Sequence, residues 1–281
     1  MRRLVGGVML VVGVGLLAAL RVGCDPSKGN DGGIMTVRKG STEQEKENRT
    51  VEPVTPEEAK QAKNQIELAI RAHGGDNLAR VQRAMVLEQK GITDLNGQIS
   101  PTTRKWQVAL PDRVYLSAAV VGQSEFDVGL TSAGAWLRTA TGTGELSPEY
   151  LSDMRADLYV FQMLALRPLR DGEFVLKPLP DMPVRGEPAK GVKVMCKDQI
   201  QVELYFDAKT NLLSRVFLRT KLGGNLIGKE VLLMKYKQIE GVQMPNHWLE
   251  IHDGRRVMEF EDSEYRFPPE IPSAVFAKPG N

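Results

Sequence analysis

The chain is poor in the side chains that transition-metal and redox chemistry use, with two cysteines and three histidines in 281 residues. Cys24 lies ahead of any foldable segment, so Cys196 has no partner for a disulfide inside the domain and reads as a buried packing residue. Charge of either sign is also scarce in excess. Lys and Arg total 37 against 35 Asp and Glu, a net charge of +2. Residues 1–54 hold eight of the basic and six of the acidic groups, which leaves 29 of each from Thr55 onward. No dense Lys/Arg run occurs. Nucleic-acid binding rests on a basic face, so no nucleic-acid partner is expected. No cofactor or metal is expected either. What is present is an ordinary globular composition, 42% hydrophobic and 26% charged, enough for one large domain or two small ones.

The front of the chain is different. Arg2 and Arg3 precede an uncharged stretch over residues 4–20, so residues 1–23 read as a signal peptide or N-terminal membrane anchor. The stretch is short for a spanning helix, but Arg21 can snorkel and extend it to Val22. Leu20-Arg21-Val22-Gly23-Cys24 is similar to the recognition box in which a cysteine becomes the lipidated first residue of a bacterial lipoprotein. Cys24 is therefore the candidate lipidation site, although Arg21 stands where a leucine is usual. Lipoprotein, uncleaved anchor and cleaved soluble form remain open. All three place the domain outside the cytoplasm. Residues 24–54 are polar, lack apolar periodicity and read as a flexible linker with a reach of about 30 Å.

Residues 55–281 form the expected domain. Thr55-Pro56-Glu57-Glu58 has the signature of a helix start with a capping box. Ala62, Ile66, Ala69, Ile70 and His73 then fall on one helical face, and Gly74-Gly75 stops the helix. His73, in the last turn, is expected to be favoured there by the helix dipole. Asp76 is expected to cap a short second helix reaching Arg83. From Met85 the period changes to two, with Trp106 and Val108, then Val114, Leu116, Ala118 and Val120, then Phe126, Val128 and Leu130 alternating with other residues. Ser147-Pro148-Glu149 opens one long internal helix, apolar around much of its circumference and ended by Pro168.

Two hairpins follow. Pairing residues 200–206 with 212–218 sets Phe206 against Leu212, Val202 against Val216 and Glu203 against Arg215. Asp253-Gly254 is a two-residue turn signal that sets Ile251 against Arg256, Leu249 against Met258 and His247 against Phe260. Trp248 then shares the opposite, polar face with Glu250 and Glu259. Successive meanders without βαβ units predict an α+β protein with a large antiparallel sheet that needs a helical cover or closure.

His73-Gly74-Gly75, Asp207-Ala-Lys-Thr-Asn-Leu-Leu213, Tyr236-Lys-Gln-Ile-Glu-Gly-Val-Gln-Met-Pro245 and Val275-Phe-Ala-Lys-Pro279 resemble bacterial envelope proteins of the outer-membrane lipoprotein-sorting (LolA/LolB-like) superfamily. The resemblance spans roughly residues 55–279. It implies an incomplete antiparallel β-barrel covered by helices, on the periplasmic side of the envelope, whose concavity takes a lipid or lipoprotein acyl chain. It carries over no individual functional residue.

Reactive constellations do not assemble. The residues Gly223 to Lys229 have the spacing of a phosphate loop, but Glu230 follows where a Ser or Thr is needed, so a hairpin turn is expected. Ser124 lacks the second glycine of a nucleophile elbow. His247 and His252 point to opposite faces of a regular strand, and His252 reads as a surface residue beside the turn. Glu259 and Glu261 read as a solvated face. The expectation is a non-enzymatic envelope protein, tethered to the membrane by its N-terminal segment, that binds an apolar ligand along Trp106, Val108, His247, Leu249, Ile251, Met258 and Phe260. The alternative is a protein-interaction or sensing module without lipid cargo, anchored on an exposed Trp248.

Overall fold

The computed structural model describes residues 53–171, 174–195 and 200–280. Cys24, Cys196, the 1–23 segment and nearly all of the linker lie outside these described residues. The domain opens as its sequence dictates. The Thr55 hydroxyl accepts from the Glu58 N–H at 3.2 Å, and the Glu58 carboxylate accepts from the Thr55 N–H at 2.8 Å, which starts helix α1 (Pro56–His73). Its buried residues are Ala62, Ile66, Ala69, Ile70 and His73. Gly74 ends it at φ 123°, and a Cβ there would lie 2.3 Å from the Gly241 carbonyl. A 3₁₀ turn (Gly75–Asn77) leads into α2 (Leu78–Arg83), which begins at Asn77 without a side-chain cap, so Asp76 does not play the expected part.

His73 departs from its expected role. It is 1% exposed, and burial pushes its pKa down to about 4 against a helix bond that works the other way. The neutral ring suits both neighbours: Nδ1 donates to the Ala69 carbonyl at 2.8 Å and Nε2 accepts from the Leu213 N–H at 3.3 Å. The imidazole pins the helix end to the sheet. It does not serve as a cation for the helix dipole.

Among the described residues thirteen strands make one antiparallel sheet. The first six are β1 (Met85–Leu95), β2 (Gln98–Ala109), β3 (Arg113–Val120), β4 (Ser124–Thr131), β5 (Gly134–Thr139) and β6 (Gly142–Glu145). Helices α3 (Pro148–Ala165) and α4 (Arg167–Arg170) follow. The sheet resumes with β7 (Val175–Val184), β8 (Glu187–Met195), β9 (Gln201–Asp207), β10 (Leu213–Leu222), β11 (Asn225–Ile239), β12 (Val242–His252) and β13 (Arg255–Arg266). The spatial order is β6-β5-β4-β3-β2-β1-β13-β12-β11-β10-β9-β8-β7, so consecutive strands pair within each half and β1–β13 joins the two halves. The ends, β6 and β7, do not pair, which leaves the barrel incomplete. Four residues make β6 too short to template another strand, and Pro178, Pro180 and Pro183 remove donors from β7.

Helices α1 and α3 both pack on the concave face, and one continuous apolar core lies between them and the sheet. The break after α3 comes at Leu166, φ 54°, and Pro168 falls in the first turn of α4, where a missing N–H costs little. On the convex face the C-terminal segment lays Ile271 and Phe276 over Ala84, Val86 and Ala109. Trp136 Nε1 donates to the Phe276 carbonyl at 2.9 Å.

Both hairpin registers differ from expectation, and bulges are the reason. Between β12 and β13, Ile251 pairs Arg256 as expected, but Glu250 then pairs Met258 and Trp248 pairs Phe260. Val257 is an extra residue in β13, and one extra residue exchanges the faces. Between β9 and β10, Leu213 pairs Phe206 and Val216 pairs Leu204, with Ser214 bulged. Val202 therefore pairs Leu218, two residues away from the expected Val216. A shift of two preserves the faces, so Val202, Leu204 and Phe206 still point into the core.

The β1–β13 junction carries a third irregularity, where Lys90 pairs Asp262 and Gly91 pairs Phe260. A Cβ on Gly91 would lie 2.0 Å from the Glu259 carbonyl oxygen. Gly91→Ala must part the two halves there. Urea unfolding is expected to show a loss of about 1–3 kcal/mol, the usual range for overpacking. An unchanged midpoint would show that the junction does not need this close approach.

Candidate functional site

The concave face is largely apolar, and its buried charges gather around one lysine. Lys229 on β11 alternates with Val231 and Leu233 on that face, and its side chain is fully buried. Its ammonium donates to Asp157 Oδ1 at 2.6 Å and Asp153 Oδ1 at 3.2 Å, both on α3, and contacts Glu250 Oε1 on β12 at 3.2 Å. Glu250 in turn receives His252 Nε2 at 2.8 Å and lies 3.9 Å from Arg104 Nη1. Arg104, on β2, donates from Nε to Gln89 Oε1 at 2.6 Å, and its guanidinium lies 3.9 Å from the centre of the Phe260 ring. Gln89 donates onward to Ser263 at 3.0 Å. Two acidic side chains spaced i, i+4 place both carboxylates on one side of α3. Every third or fourth residue beside them is apolar, so α3 carries its charges inward.

One ammonium cannot fully compensate three buried carboxylates. Burial raises the Asp157 pKa to about 7 against the pull of Lys229, with Asp153 and Glu250 adding to the rise. Burial works in the same direction on Glu250, but Lys229, His252 and Arg104 outweigh it and hold that carboxyl well below the usual range. For Lys229 burial disfavours the charge, yet the three carboxylates raise its pKa well above the ordinary value. The cluster therefore keeps Lys229 and Glu250 ionised and lets Asp157 exchange a proton near neutrality.

Towards the middle of α3 the cover becomes aromatic. Phe161 meets Trp106 edge-on with ring centroids 5.1 Å apart and Trp248 at 6.3 Å. A cavity of about 10 Å³ remains among Arg104, Trp106, Asp157, Phe161, Trp248 and Glu250, room for about one water. Trp106 Nε1 is buried without an acceptor among the described residues. A roomier hollow of about 400 Å³ lies elsewhere, chiefly along the convex face beside Glu88, Lys105, Glu125, Asp262 and Glu264. That groove is open and rimmed by charge. The tight, buried cluster under α3 is the better candidate because its polar groups face inward.

This architecture recurs in solved structures. A LolA superfamily protein from Nitrosomonas europaea superimposes with a TM-score of 0.51 at 12% identity, over 77% of this chain and 97% of the other. A DUF1329 family protein from Desulfovibrio piger gives 0.51 at 15% identity, also over 77% and 97%. The fold is that of the LolA superfamily. No protein-family model and no curated protein sequence matches the chain.

Within the LolA-like half-barrel, the seven residues expected to line one surface divide between two. Trp106, Val108, Met258 and Phe260 belong to the concave core. Leu249 and Ile251 pack on the convex face against Leu232 and Tyr205, and His247 shares that face with Glu259. The extra residue Val257 causes this division. It also carries Trp248, expected on the polar face, into the core at 4% exposure, where its indole N–H is 2.8 Å from the Tyr265 hydroxyl. His252, expected at the surface, is tied to Glu250 inside the cluster. His247 Nε2 is 3.0 Å from Glu259 Oε1, and its Nδ1 is buried without a partner. The ligating atoms of His247, Glu259 and Glu261 lie within 4.8 Å of one another, with Arg256 on the second Glu259 oxygen. Ser124 is the first residue of β4, and Gly223-Gly224 forms the tight β10–β11 turn, as its reading as a hairpin requires.

The cluster sets two expectations for stability. Lys229→Met takes the shared cation from three buried carboxylates, two of which, Asp153 and Asp157, have no other within salt-bridge reach among the described residues, and should cost about 3–5 kcal/mol in urea unfolding. Because folding raises the Asp157 pKa, its protonated form favours the folded state; that contribution is complete below about pH 4 and is lost as pH rises through about 7. His73 has the opposite sign, since its depressed value gives stability above pH 6.5 that is lost as pH falls towards 4. Asp157→Asn leaves His73 untouched. Its stability relative to wild type should therefore climb between pH 4 and 8, and a flat difference would show that Asp157 does not titrate in the fold.

Proposed function

We propose that this protein is a non-enzymatic component of the bacterial cell envelope whose half-barrel takes up an apolar ligand, a lipid or lipoprotein acyl chain, in the concavity that α3 now occupies. The observation that carries this reading is how α3 is held. Over its first half it meets the sheet through Lys229, Asp153, Asp157 and Glu250, where a permanent core would use apolar packing. Buried ion pairs are commonly no more stable than hydrophobic side chains of the same volume. They are directional, however, and re-solvate once parted, which suits a cover that leaves. Beneath it lies an apolar and aromatic floor of Trp106, Val108, Trp248 and Phe260, continuous with the core.

The LolA-like fold supports a carrier or binding role. The apolar N-terminal stretch supports a position on the periplasmic side, with residues 1–23 as signal or anchor, residues 24–54 as tether and Cys24 as a lipidation site. Among the described residues no helix is long and apolar enough to cross a membrane. Burial of Trp248 removes the residue that favoured a protein partner.

Native mass spectrometry of the full chain released from membranes is expected to show an adduct with the mass of an acyl lipid, reduced in Trp106→Ala. A ligand-free spectrum, together with no uptake of added phospholipid, would contradict the reading.

A further inference from the structure

The charge distribution under α3 goes further than apolarity and names a headgroup. On the sheet, Lys229 and Arg104 supply two buried cations and Glu250 one anion, with His252 bonded to that anion. The remaining charges, Asp153 and Asp157, come from α3. Around them lie Gln89, Ser263 and Tyr265, which are polar but neutral when buried. If α3 lifts, the sheet is left with a net positive floor beneath an apolar wall. Trp106 adds an indole N–H without an acceptor on the lining of the same small cavity. Donors therefore outnumber acceptors on the sheet side, and an uncharged chain replacing α3 would leave Lys229 and Arg104 sharing the one carboxylate of Glu250 in a dry site. Stranding a buried charge is among the larger penalties a binding site can incur.

Helix α3 has the complementary chemistry. Along its buried side the carboxylates of Asp153 and Asp157 are followed, over the next turns, by Phe161 and Leu164. An anionic headgroup followed by a hydrocarbon chain offers the same sequence of groups in the same order. We infer that the ligand is an anionic amphiphile whose carboxylate or phosphate takes the places of Asp153 and Asp157 on Lys229, within the field of Arg104, with α3 acting as its internal competitor. This rests on the proposed acyl-binding role and specifies its ligand class. An acceptor-only headgroup satisfies the ammonium, the guanidinium and the Trp106 N–H together, which a hydroxyl or a choline cannot do.

The test uses two probes that differ only in headgroup, 11-bromoundecanoate and 11-bromoundecanol, added to the full chain in a maltoside detergent. Bromine near Trp106 and Trp248 quenches their fluorescence and reports occupancy. The carboxylate is expected to bind at least 10-fold more tightly than the alcohol. Asp157→Asn, which keeps the shape of α3 and removes its competing charge, should increase that preference several-fold. Lys229→Met should abolish it, and the Asp157→Asn result stands should Lys229→Met fail to fold. Displacement of the bromo acid by dodecanoate or by dodecyl phosphate identifies the headgroup preferred, and displacement by neither overturns the inference. Equal binding of both probes overturns it while leaving an apolar site intact. Quenching by neither probe overturns the acyl-binding role and this inference with it.

Discussion

A single buried ammonium organises the inside of this molecule. Lys229 occupies a core position of β11, between residues whose neighbours on the same face are valine and leucine, and it has no route to water. Its charge has to be met from within. Glu250 on the adjacent strand meets part of it, and Asp153 and Asp157 fix where α3 must lie and which side it turns to the sheet. With α3 so placed, Phe161 falls between Trp106 and Trp248, and the concavity is filled. Such an arrangement is locally expensive, because three carboxylates share one cation and one of them, Asp157, is held near neutrality in its titration. A core built for stability alone would place methylenes there.

Much of the frame was legible in the sequence. The capping box at Thr55, the buried stripe of α1 and the alternation of β2 to β4 follow from side-chain chemistry and period alone, and each lies where that chemistry requires. The bulges were not legible. Val257 and Ser214 have no compositional mark, yet Val257 alone reverses the faces of a hairpin that an Asp-Gly turn otherwise specified well. The candidate lining was split for this reason, and Trp248 was read as exposed. Its hydrophobic bulk favours the core, and the strand satisfies that preference by taking one extra residue opposite.

The charged cluster was missed for another reason. Asp153 and Asp157 belong to no motif, and they stand in a helix whose apolar residues dominate its pattern. Lys229 was noticed only as the last residue of a loop-like spacing. The signal lay in combining them: an i, i+4 acidic pair on a helix with little polar face, and a lysine on the core-facing register of a strand. Either alone is common at a surface. Together they require one another, because neither has solvent. His73 shows the same limit, since its place at a helix end suggested a cation and only the approach of Leu213 makes it a neutral acceptor.

Ligand uptake requires α3 to leave the concavity, and the geometry of the helix permits a direct test. Ser152 Oγ on α3 and Thr220 Oγ1 on β10 are 3.1 Å apart, so cysteines at these two positions are close enough to cross-link. In a chain that also carries Cys24→Ser and Cys196→Ser, the oxidised Ser152→Cys, Thr220→Cys protein should lose binding of 11-bromoundecanoate, and reduction should restore it. Equal binding by the oxidised and reduced forms would contradict the claim that the ligand and α3 compete for the same space.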